Sequence, residues 1–67
     1  MRVSGTVNYI DLEDGEYTIR LGKDVIIYAG CDLFGRGIIK PKPPEVGDDI
    51  EVEVNRFDRV TKVHSIS

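Results

Sequence analysis

Two stretches alternate with a strict two-residue period, and that period decides what the chain can build. Tyr17, Ile19 and Leu21 share one parity while Glu16, Thr18 and Arg20 share the other, and Ile50, Val52 and Val54 alternate in the same way with Glu51, Glu53 and Asn55. Successive side chains of a strand point to opposite faces, so each stretch offers one apolar face to a core and one polar face to water. The apolar residues are mainly Val and Ile, which are stiff at χ1 and suit a pleated surface better than a helix.

The other elements follow from the punctuation. Val3 to Ile10 reads as strand one, with Val3, Gly5, Val7 and Tyr9 on one parity and Thr6, Asn8 and Ile10 on the other. Asp11-Leu12-Glu13-Asp14-Gly15 is a polar turn ending in Asp-Gly, where glycine supplies the positive φ of a tight hairpin. Strand two, Glu16 to Leu21, turns through Gly22-Lys23-Asp24 into Val25-Ile26-Ile27-Tyr28. That run is apolar on both faces, as in a central strand or one with a sticky outer surface. From Ala29 to Pro44 the pattern breaks at Gly30, Gly35, Gly37, Pro41, Pro43 and Pro44, leaving a long connector with room for one helical turn around Cys31 to Phe34. Strand four follows, Arg56-Phe57-Asp58-Arg59 turns, and Val60 to Ile66 is strand five, with Val63 inward on a local irregularity.

Sixty-seven residues hold one domain, 1–67, with one small core. The expected fold is all-β: a five-stranded OB-like Greek-key barrel with a long connector between strands three and four, which hides its sheet edges by near closure. An SH3-like barrel is the structural rival.

Composition excludes several functions. Cys31 is the only cysteine, so no intrachain disulfide forms, no Cys/His set has zinc spacing, and a cytoplasmic setting is expected. No signal-like segment and no run of roughly 20 apolar residues is present, so no membrane role is expected. His64 lacks a Ser, Cys or carboxylate placed by a catalytic motif, and the acids around Gly15 lack the spacing of a calcium loop. No enzyme activity, metal or cofactor is therefore expected. The net charge of −3 argues against indiscriminate polyanion binding, but residues 20–43 carry Arg20, Lys23, Arg36, Lys40 and Lys42 against Asp24 and Asp32. Residues 44–54 hold five acids and no cation.

Gly5-Thr6-Val7-Asn8-Tyr9-Ile10-Asp11, followed by Gly15 and Ile19, resembles the opening of bacterial cold-shock proteins, Gly-Thr-Val-Lys-Trp-Phe-Asn with its later glycines and Phe-Ile. Lys23 to Tyr28 is similar to their Asp-Val-Phe-Val-His segment, and Gly47 to Val54 to their Gly-x-x-Val-x-Phe-x-Val strand. The second half resembles bacterial translation initiation factor one equally well, in Gly47 to Val54 and in Phe57-Asp58. Both resemblances imply the OB fold and binding of RNA or single-stranded nucleic acid. The positions where cold-shock proteins stack bases on aromatics carry Tyr9, Glu16, Thr18, Ile26 and Tyr28 here. Two rings remain, and stacking at about 1–3 kcal/mol per base makes the implied affinity modest.

Tyr9 and Tyr28 are thus candidates for a small stacking platform, with Thr18, Arg20, Lys23 and Ile26 close by if strands one to three lie side by side. Ordinary packing at a barrel end is the plain alternative for the two tyrosines. Arg36, Lys40 and Lys42 on the connector, with Phe34 as a ring, are candidates to close over a phosphate backbone; a solvated linker is the alternative. Arg56, Arg59, Lys62 and His64 form a second basic group. Tyr17 belongs to the core by parity, and Cys31 reads as a small buried residue. The leading expectation is a non-catalytic binder of RNA or single-stranded DNA. The second is a protein-interaction module for transcription or translation, docking on a ribosome or RNA polymerase through the acidic face of strand four, with Ile26, Tyr28 and Phe34 as anchors.

Overall fold

A computed structural model describes residues 1–35 and 40–67. Five strands form in the expected order: β1 (Arg2–Glu13), β2 (Glu16–Leu21), β3 (Val25–Gly30), β4 (Asp49–Val54) and β5 (Val60–Ile66). A single 3-10 turn, Cys31–Leu33, follows β3 where one helical turn was expected. The chain is all-β, and its strands lie in one antiparallel sheet in the order β3-β2-β1-β4-β5. The two sheet edges approach at one isolated parallel bridge, between Tyr28 and Arg59.

The long first strand holds the two halves together. Residues 2–6 pair with β4, and residues from Val7 onward pair with β2. Between them Asn8 is an extra residue, because Val7 faces Leu21 while Tyr9 faces Arg20. An inserted residue bends the strand and reverses the parity beyond it. Val3, Gly5 and Val7 therefore face inward before the bulge and Ile10 after it, whereas Tyr9 is 48% exposed. Periodicity alone had placed Tyr9 on the parity of Val7; the bulge separates them. Asn8 is held by its own side chain, which donates to the Gly22 carbonyl and accepts a 3.1 Å bond from Arg20 Nε.

Strand one also runs three residues further than Ile10. The expected five-residue turn is only Asp14-Gly15, both at positive φ (53° and 76°), the signature of a two-residue type I′ hairpin. Gly5 allows a close approach: a Cβ there would lie 3.2 Å from the Leu21 Cβ, tighter than side chains ordinarily pack.

The core is a single cluster drawn from both halves. Val7, Ile19, Leu21, Ile27 and Ala29 come from β1–β3, Ile50, Val52, Val54 and Val60 from β4–β5, and Phe34 from the connector. Val63 packs partly buried against it, between irregularities in the β4–β5 register that skip His64 and Thr61. β3 is an edge strand, so its two-sided apolarity is not that of a strand covered on both faces: Ile27 and Ala29 are buried, while Val25 and Ile26 remain 42% and 44% exposed. Cys31, read from sequence as buried, is exposed.

Candidate nucleic-acid interface

The register places the outward side chains of β1–β3 in rows. One row is Tyr9, Arg20 and Ile26, the next is Asp11, Thr18 and Tyr28, and the last brings Glu13 and Glu16 face to face. Tyr9, Thr18, Arg20, Ile26 and Tyr28 therefore share one surface of the sheet. The two tyrosines stand on it diagonally, two strands apart and one row out of step. At ordinary strand spacing that separation is about 12 Å, too far for the rings to touch each other. Lys23 sits in the β2–β3 turn at the end of the sheet nearest the Tyr9 row, fully outside the core.

The β4–β5 turn meets the far edge of this surface. The Tyr28 N–H donates to the Asp58 carbonyl at 2.9 Å, and Tyr28 aligns in parallel with Arg59. Phe57, two residues before Arg59, thus lies toward the Ile26 end. The turn is held by its own hydrogen bonds: the Asn55 side-chain oxygen accepts from the N–H groups of Phe57 (2.8 Å) and Arg59 (3.2 Å), and Asp58 adopts a φ of 60°. Phe57 is 65% exposed, and the Arg56 guanidinium lies 4.9 Å from its ring centroid. Sequence reasoning placed Arg56 and Arg59 in a second basic group with Lys62 and His64 and gave Phe57 no site role. The signal available was a phenylalanine between two arginines in a turn, but its proximity to β3 depends on the bridge at Tyr28.

The charges on this surface are graded. Arg20 and Lys23 stand toward the Tyr9 row, with Asp24 beside Lys23, and Asp11, Glu13, Asp14 and Glu16 stand toward the hairpin tip. Arg59 is engaged by Glu16 in a 2.6 Å ion pair that passes beside Tyr28.

The connector residues go elsewhere. Phe34, expected as a ring on an open loop, is 8% exposed and meets Tyr17 edge to face, with centroids 5.4 Å apart and planes at 90°. The inward parity of Tyr17 offers it an apolar surface, and burial of a phenyl ring outweighs its exposure on a loop. Lys42 lines a cleft of about 560 Å³ with Tyr17, Cys31, Phe34, Pro43 and Pro44, and Lys40 packs against Gly35. Neither lysine joins Tyr9 and Tyr28. Arg36 lies outside the described residues.

The acids of β4 are already partnered. Arg2 lies 3.4 Å from Glu51 and 3.9 Å from Glu53, and His64 Nε2 lies 3.4 Å from Glu53. Desolvation raises the Glu53 pKa, but the hydrogen bond from His64 and the Met1 amino group outweigh it, so the carboxyl is held below its ordinary value. His64, without a motif partner in sequence, lies 3.3 Å from the Arg2 guanidinium and 3.4 Å from the Glu53 carboxylate across the strands. Among the described residues no group of His, Cys, Asp and Glu is placed to hold a metal, and no helix is long and apolar enough to cross a membrane. No family model matches the chain, and no curated protein or solved structure matches it significantly.

Proposed function

We propose that this chain is a non-catalytic, cytoplasmic binder of RNA or single-stranded DNA, of modest affinity and cold-shock-like in mode, built on an OB-like Greek-key barrel. The strand order, the first strand shared by both halves and the parallel Tyr28–Arg59 bridge support the barrel reading, since an OB barrel is a partly open five-stranded one. The observation that carries the function is the convergence of Tyr9, Arg20, Ile26 and Tyr28 on one outward surface, with Phe57 and Arg56 at its rim. Rings stack on bases without much regard to sequence, and cations contact the phosphates between them.

The rival, a docking module for a transcription or translation machine, draws on the acids of strand four, with Ile26, Tyr28 and Phe34 as apolar anchors. Glu51 and Glu53 are paired within the chain and Phe34 is in the core, which favours the nucleic-acid reading, while Ile26 and Tyr28 lie on the outward surface that either partner would use. A salt titration with labelled oligonucleotides tests it. Binding that weakens as salt rises is expected; absence of any salt-sensitive binding at tens of micromolar protein refutes it. Capture from lysate that survives nuclease treatment would support the rival instead.

A further inference from the structure

Only half of the recognition surface is open to a polyanion. From the charge grading we infer that the bound strand is short, about four nucleotides, the low end of what one OB barrel covers, and that the β1–β2 hairpin acts as an electrostatic stop. This rests on the nucleic-acid reading above.

Three observations converge. The row of Tyr9, Arg20 and Ile26 crosses the sheet to the β3 edge, where the β4–β5 turn carrying Phe57 and Arg56 docks beside Tyr28; Lys23 lies in the adjoining β2–β3 turn, and the row itself holds no acid. The next rows bring in Asp11 and then the directly opposed Glu13 and Glu16, and the turn adds Asp14. Like charges directly opposite one another destabilise a hairpin, so this end is acidic against its own stability. Arg59, beside Tyr28, is held by Glu16 at 2.6 Å, which offsets part of the charge it could offer a phosphate. A strand lying across Tyr9, Arg20 and Ile26 toward the β4–β5 turn has Arg20, Lys23 and Arg56 within its path, none ion-paired among the described residues, against Asp24 and Asp58 in the two turns. A strand extended along the hairpin meets three or four carboxylates. Tyr28 marks the boundary, flanked by the Arg59–Glu16 pair.

Oligothymidylates of two to twelve nucleotides, titrated at low salt with affinities corrected for the number of binding registers, test the inference. Wild type levels off near four nucleotides. Arg20, Lys23 and Arg56 at about 0.7 each give a slope of log affinity on log salt of about −2. In the variant D11N/E13Q/E16Q the affinity keeps rising toward about eight nucleotides and becomes about fivefold tighter, as screened repulsion disappears, with a steeper slope because Arg59 is released. E45Q, which removes a carboxylate elsewhere, leaves the length profile unchanged.

A wild-type affinity that climbs steadily past four nucleotides overturns the stop while leaving nucleic-acid binding intact. So does a triple variant identical to wild type, or E45Q reproducing its gain. Absence of binding by both proteins at every length overturns the stop together with the proposed function.

Discussion

Tyr9 offers the most direct test, because its ring stands outside the core. At 48% exposed it belongs to neither the buried cluster nor the residues packed against it, so Tyr9→Ala removes a stacking surface without opening a cavity. Surface substitutions of this kind change stability by within about 0.5 kcal/mol, and the melting temperature is expected to move by only a few degrees. Loss of one stacked base costs about 1–3 kcal/mol, which corresponds to roughly a 5- to 150-fold rise in Kd. The variant keeps Arg20 and Ile26 beside the vacated position, and their residual contact with the base places the expected loss at the lower end, about tenfold. Fluorescence anisotropy with a labelled oligothymidylate at low salt reads the affinity, and circular dichroism confirms the fold. Tyr9→Phe should bind like wild type, since the ring and not the hydroxyl carries the contact. A folded Tyr9→Ala protein that binds within twofold of wild type would refute the reasoning, and so would a Tyr9→Phe protein as weak as Tyr9→Ala.

Phe34→Ala should lower unfolding free energy by about 3–5 kcal/mol in urea denaturation, because it empties a buried site against Tyr17; a loss below 1 kcal/mol would place the ring outside the core. Gly15→Ala should cost about 1–2 kcal/mol, since position 15 sits at φ 76° in the type I′ turn, and an unchanged melting temperature would contradict that turn. Glu53 has a lowered pKa in the folded chain, so its contribution is complete above its unfolded pKa and lost as pH falls through the folded one. Melting curves below about pH 4.3 should therefore fall more steeply for wild type than for Glu53→Gln, and parallel curves would show that the Glu53 contacts confer nothing.

Strands two and five were legible to the residue, and strand four to within one at each end: two and four carry a period-two face bounded by glycine, aspartate or asparagine, and five is a β-rich run after a turn whose period is broken at Val63. The Asp-Gly hairpin was legible for the same local reason. The candidate surface was partly legible: parity put Thr18 and Arg20 opposite Ile19, and antiparallel neighbours brought Ile26 and Tyr28 beside them. Tyr9 reached that surface by a route the pattern did not contain. Its parity matched Val7, and only the Asn8 bulge, locked by Gly22 and Arg20, turned it outward. Arg59 looked like a free cation because Glu16 is forty-three residues away in the chain. Phe34 looked like a loop ring because nothing nearby in sequence announces that Tyr17 awaits it.

What the sequence determined by itself is therefore the set of strands, their apolar faces and their turns, since these depend on φ/ψ preferences and burial within a few residues of each position. Tertiary structure alone decided which charges are free, which aromatic ring is buried and which turn borders the candidate surface. Those outcomes depend on long-range pairing across β1 and on the meeting of Tyr28 with Arg59, where residues distant in the chain compete for the same space and the same partners.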